Sequence, residues 1–134
     1  MTDDLVPTVV ANLLREHVQT YEQLEVLVRI GRDALHDHVM ASLAMELNLD
    51  SAAVIAVVEL LADAGLLTVT RDAAGDRVRC SATAAPVVAR LAEVYDGARI
   101  ELMSLMTRNA LERVRTSALR AFSSAFVLGR KRDG

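Results

Sequence analysis

The chain has 134 residues, 52% of them apolar but only 3% aromatic, with no Trp, a single Cys and a formal net charge of −3. That is the composition of a globular, aliphatic, Ala-rich helical protein with room for one core plus appended elements, and it excludes a disordered or disulfide-stapled chain. No apolar run reaches the ~20 residues of a membrane span, the start Met1-Thr2-Asp3-Asp4 lacks the basic flank of a secretory signal, and a lone Cys80 suits a reducing compartment, so a cytoplasmic protein without a membrane partner is expected.

Charge is unevenly spread, at −2 over residues 1–19, −5 over 20–81 and +4 over 82–134. Such segregation bears on partners rather than on fold.

In chain order, Val6, Val10, Leu13, Leu14 and Val18 fall at helical spacing, with Asp3-Asp4 placed to cap and Pro7 in the first turn. Thr20-Tyr21-Glu22-Gln23 has the pattern of a capping box, in which hydroxyl and amide side chains each satisfy a backbone donor of the other. A second helix follows, carrying Leu24, Leu27 and Val28 and ending near Gly31, and the polar stretch from Arg32 to His38 reads as a loop. Val39, Leu43 and Leu47 mark a third helix, and Asn48-Leu49-Asp50 a turn. The Asp50 carboxylate is expected to cap a fourth helix that turns Val54, Val58 and Leu61 inward and ends at Ala64-Gly65. Two short runs, residues 66–70 and 77–81, flank a polar loop and predict a β-hairpin with Arg77 and Arg79 on one face.

From Pro86 the helical pattern resumes. Val88, Leu91, Tyr95, Ala98, Leu102 and Leu105 form a heptad-like seam, within which Gly97 costs about 1 kcal/mol relative to Ala and needs packing to hold it. The seam fails at Asn109 and Glu112, which places a bend near Thr107. A last amphipathic segment sets Leu111, Val114, Ala118, Phe122 and Ala125 on one face, with Leu119 and Phe126 beside them. Arg108, Arg113, Arg115 and Arg120 surround that face, and residues 129–134 read as a frayed tail. The expected class is mainly α with a small β-hairpin: an N-terminal helix (1–19), a central domain (20–85) and a C-terminal helical extension with a basic tail (86–134).

Helix, helix-turn-helix, two-stranded wing and long C-terminal helix is an order that resembles the winged helix-turn-helix proteins of bacteria, the broad MarR-like and ArsR-like group. The likeness spans Thr20 to Ser81 and is most specific from Leu49-Asp50-Ser51 through Val54, Val58 and Leu61 to Ala64-Gly65-Leu66-Leu67. The segment Leu119-Arg120-Ala121-Phe122-Ser123-Ser124-Ala125-Phe126 is similar to the tail of small bacterial winged-helix proteins. The resemblance implies a homodimer joined through the C-terminal seam; the alternative is that the seam folds back over its own subunit.

It also implies that the fourth helix would face DNA with Ser51, Ala52, Ala53, Ile55, Ala56, Glu59 and Asp63. Base edges are read by directional hydrogen bonds, and of these residues only Ser51 and Glu59 are expected to touch one. Arg71, Arg77 and Arg79 of the wing could anchor phosphates or an acidic partner. Two readings follow for a bacterial winged-helix regulator. In the first, a protein partner docks on Ile55, Ala56 and Glu59 and on Leu119, Phe122 and Phe126; in the second, a transcriptional regulator binds DNA through the wing arginines and helix 51–64. Val57 and Leu60 are expected in the core.

The remaining polar groups suggest no chemistry. His36-Asp37-His38 is a poor chelate without converging ligands, and His17 is expected in solvent. Phosphate-binding loops and nucleophile motifs are missing, so neither a metal, a cofactor nor an enzymatic activity is expected.

Overall fold

The computed structural model describes the backbone of residues 5–133 and the side chains of residues 5–125, so the cap expected from Asp3-Asp4 and the side chain of Phe126 lie outside the described residues. Helix α1 (Thr8–His17) starts directly after Pro7 and buries Val10, Leu13 and Leu14. Helix α2 (Tyr21–Gly31) opens on the expected capping box: the Gln23 amide donates to Thr20 Oγ1 at 3.2 Å, while Gln23 Oε1 accepts from the Thr20 amide at 3.2 Å and the Gln19 amide at 2.6 Å.

Helices α3 (Met40–Leu47) and α4 (Ser51–Asp63) are joined through Asn48 in the left-handed conformation, at φ 54°. Asp50 stands at the N-cap of α4 but its side chain makes no capping bond, unlike the expectation. Gly65, at φ 85°, closes the helix in the left-handed region that glycine enters without steric cost.

The sheet holds one strand more than the hairpin signal. Strand β1 (His38–Val39) pairs antiparallel with β3 (Arg77–Cys80), which also pairs with β2 (Leu67–Thr70), giving the order β1-β3-β2. Two residues are too few to show alternation in sequence, and only the free edge of β3 makes them a strand. His38 thereby turns inward, its Nε2 3.1 Å from the Asp33 carbonyl, while Asp37 pairs with Arg79 and exposed His36 lies 3.6 Å from Asp33. The His36-Asp37-His38 triplet does not converge on one point.

Helix α5 (Ala85–Gly97) turns at Ala98 into α6 (Arg99–Asp133), a 35-residue helix about 50 Å long. The bend thus falls at Gly97-Ala98 rather than near Thr107, whose hydroxyl donates to the Met103 carbonyl along an unbroken helix, and α6 passes through the segment expected to fray. The weakest helix former of the stretch, Gly97, marks the corner. Among the described residues no single helix is long and apolar enough to cross a membrane.

Helix α2 is the hub, packing most extensively on α5 and also on α4. Its Leu24, Val26, Leu27 and Ile30 are fully buried, as are Val88, Leu91 and Leu102 of the expected dimer seam; Tyr95 is 7% exposed, and Ala98 and Leu105 pack against the same core. The seam is therefore filled by its own subunit and is not free to join a second copy. Its corner is clamped: Tyr95 Oη donates to Glu25 at 2.9 Å, Arg99 stacks 4.1 Å from the Tyr95 ring centre, and Arg32 pairs with Asp96 at 2.8 Å. Hydrogen bonding to Glu25 and Tyr95 pushes the Tyr21 hydroxyl up to about 12, and Arg32 holds the Asp96 carboxyl below its ordinary value.

Candidate nucleic-acid interface

Helix α4 carries its apolar positions on two faces, and only one is used internally. Val54, Val57, Val58 and Leu61 are buried against the core. On the other side Ser51, Ala52, Ile55, Ala56, Glu59 and Asp63 are exposed, and Ala53 is half-buried. Val57 is in the core as expected; Leu60, expected there too, is 53% exposed, because it lies one position round the helix from Leu61. The outward face thus has the position of a reading head and little of its chemistry.

A shallow groove of about 230 Å³ runs between α3, α4 and the wing, lined by Met40, Ala41, Ser51, Ile55 and Asp76. Its wall is fixed by the Met40 amide, which donates to the Asp76 carbonyl at 2.9 Å and ties the start of α3 to the base of the wing. Ser51 and Ile55 open into this groove, but Ala56 and Glu59 do not line it.

The three wing arginines differ once their partners are known. Arg71 pairs with Asp76 at 3.0 Å across the wing turn, and Arg79 pairs with Asp37 at 2.8 Å. Arg77 sits on the central strand between Val39 and Thr70, exposed and with no ion-pair partner among the described residues. Spacing alone set the three arginines on a par; the acids that neutralise two of them come from the loop before β1 and the far side of the wing turn.

Alternation along β3 sends Val78 and Cys80 inward. Burial pushes the Cys80 thiol up from 9.0 to about 11, so it is protonated at neutral pH and a poor nucleophile. Since the folded-state value is raised, this contribution to stability is complete below pH 9 and is lost as the pH climbs toward 11. The folded chain is expected to react with a disulfide reagent at pH 8 about a hundredfold more slowly than the urea-unfolded chain. Equal rates in the two states would show that β3 opens freely.

Of the expected protein-contact residues on α6, Leu119 and Phe122 are exposed, at 61% and 70%. They continue a stripe with exposed Leu111 and Val114 on a half of α6 where only the opposite side approaches the body of the protein.

Four helices, the last two a helix-turn-helix ending in α4 with its one exposed face, and a three-stranded sheet that carries the wing together make a winged helix-turn-helix fold, extended by two C-terminal helices. The fold is that of MarR-like winged-helix proteins. ZitR of Lactococcus lactis superposes with a TM-score of 0.54 at 19% identity, over 84% of this chain and 78% of that one. MepR of S. aureus, solved bound to an oligodeoxyribonucleotide, gives 0.53 at 16% identity over 87% and 86%, and a MarR variant of E. coli gives 0.52 at 16% over 93% and 91%. No protein-family model matches the sequence, and no curated protein matches it.

Proposed function

We propose that this protein is a DNA-binding transcriptional regulator that lays α4 against the major groove and the wing across the adjacent backbone. The observation that carries the reading is the exposed face of α4 together with the exposed wing residue Arg77, which has no ion-pair partner among the described residues, on a fold shared over most of both chains with MepR, whose structure holds an oligodeoxyribonucleotide. This places DNA ahead of the protein-docking reading, for which the comparisons supply no support. With Ser51 and two acids, Glu59 and Asp63, the only exposed polar side chains on α4's reading positions, the larger share of affinity comes from phosphate contacts, and selectivity draws on DNA shape.

The test is fluorescence anisotropy on genomic DNA fragments across a salt series. Arg77→Glu is expected to weaken binding about tenfold or more and to flatten the logarithmic salt slope by about 1. Arg71→Gln, which removes a charge already paired with Asp76, is expected to change affinity less. Failure of the unaltered chain to retain any duplex at low salt would overturn the reading and return the apolar α4 face, with Ile55 and Leu60, to a protein partner.

The regulator acts as a homodimer in this proposal. With the heptad-like seam used up inside the subunit, the exposed stripe of Leu111, Val114, Leu119 and Phe122 is the surface that a second copy would cover. Sedimentation in the same buffers checks it, and a monomer at every concentration would contradict it.

A further inference from the structure

Beyond Arg108 the side of α6 that faces the body of the protein is polar, the reverse of what packing against a core requires. Asn109, Glu112, Arg113, Thr116, Ser117 and Arg120 recur at three- and four-residue intervals and, with Arg15 from the last turn of α1, line a cleft of about 370 Å³. Among the described residues no apolar side chain lines it. Three guanidinium groups and one carboxylate leave a formal charge of +2, and the carboxylate of Glu112 also pairs with Arg115, at 3.7 Å.

The donors are not used up internally. Arg15 spends one nitrogen on Asn12 Oδ1 at 2.7 Å, Arg113 spends one on the Gln19 carbonyl at 3.4 Å, and Arg120 has no ion-pair partner among the described residues. Each guanidinium carries five N–H groups, so several remain available. A second, independent observation is Asn109, a half-buried residue of the lining whose Nδ2 is itself buried and has no hydrogen-bond acceptor among the described residues. Buried amide donors are nearly always paired, and one left over beside three arginines marks where an acceptor belongs.

We propose that this α1–α6 cleft binds a small oxyanion, a phosphate or carboxylate group, held by Arg15, Arg113 and Arg120 and by the Asn109 amide. Forked guanidinium donors match the paired oxygens of such a group, and the hydroxyls of Thr116 and Ser117 supply neutral donors around it. The site lies outside the winged-helix motif and is independent of the DNA-binding reading. An occupant would bridge α1 to α6 across a contact that the apolar core does not reach, where residues 109–125 of α6 are half-buried or exposed.

Nitrogen-labelled full-length protein would be titrated with sodium phosphate and, separately, with disodium succinate, at ionic strength held constant with sodium chloride. A saturable shift of the Asn109 side-chain amide pair is expected with at least one of the two. Saturation by phosphate alone, by succinate alone or by both supports the site and identifies which oxyanion it takes. Arg120→Gln and Arg15→Gln are each expected to weaken that Kd about tenfold while leaving the spectrum of the core unchanged. The proposal is overturned by shifts that never saturate, by a Kd indifferent to both substitutions, or by Asn109 responding to duplex DNA and to neither small anion.

Discussion

Replacing Gly31 with Ala is expected to cost about 3 kcal/mol and to lower the Tm by about 10 °C. A Cβ at Gly31 would run into the Val88 carbonyl oxygen, a backbone atom that no rotamer change can remove. The helices α2 and α5 would have to separate, and theirs is the most extensive contact in the molecule. A loss of that size is a large fraction of the roughly 5–15 kcal/mol by which domains are stable. Gly97→Ala is the matched control. Nothing lies within 4 Å of a Cβ there, and Gly97 ends α5 without a positive φ, so a neutral result or a gain of about 0.5 kcal/mol is expected. Thermal unfolding of the two variants side by side checks both, and equal Tm values would refute the close approach.

Leu91→Ala is expected to cost about 2–5 kcal/mol, and to cost the same at every protein concentration. Leu91 is fully buried in the core of its own subunit, so its removal leaves a cavity inside the protomer. Were it instead at a dimer seam, the loss would appear as weakened association, and the gap between the urea midpoints of the variant and the unaltered chain would change with dilution. Urea melts at two concentrations a hundredfold apart distinguish these cases.

The Leu91 case illustrates how pattern and packing diverge. A three-four spacing says that one face of a helix is covered, but the identity of the covering surface is not in the pattern; here it is α2 of the same chain. Further along, the apolar stripe of Leu111, Val114 and Phe122 is just as periodic and stands exposed. The stretch around Gly97 shows the same limit: the seam runs through it at unbroken spacing, although the chain turns at Ala98. Glycine there was legible as a weak point, while the turn itself depends on the clamp that Tyr95, Arg99, Asp96, Arg32 and Glu25 draw around the corner.

The candidate interface divides in the same way. Helix α4 and the wing arginines were readable from local order, yet Arg77 stands apart only because Asp76 and Asp37 reach Arg71 and Arg79. The cleft along α6 left a clear trace, the run of basic residues beside an apolar face. Its meaning lay in Arg15, almost a hundred positions away in the chain, and in the amide of Asn109.

By itself the sequence determined the features written in short-range chemistry. These are the Thr20-Gln23 capping box, the Gly65 stop, the helix-turn-helix with its wing, the inward and outward sides of β3, and the absence of base-reading amides and cations on α4. Each depends on residues within a few positions of one another, whose backbone preferences and periodicity act before the chain is folded. Only the tertiary structure decided that His38-Val39 is a strand, that the seam is filled from within, that Arg77 alone of the three wing arginines has no ion-pair partner among the described residues, and that the Asn109 amide has a donor left to satisfy there. Those properties belong to pairs of surfaces brought together across the fold, where burial and ion pairing depend on a neighbour that local spacing does not specify.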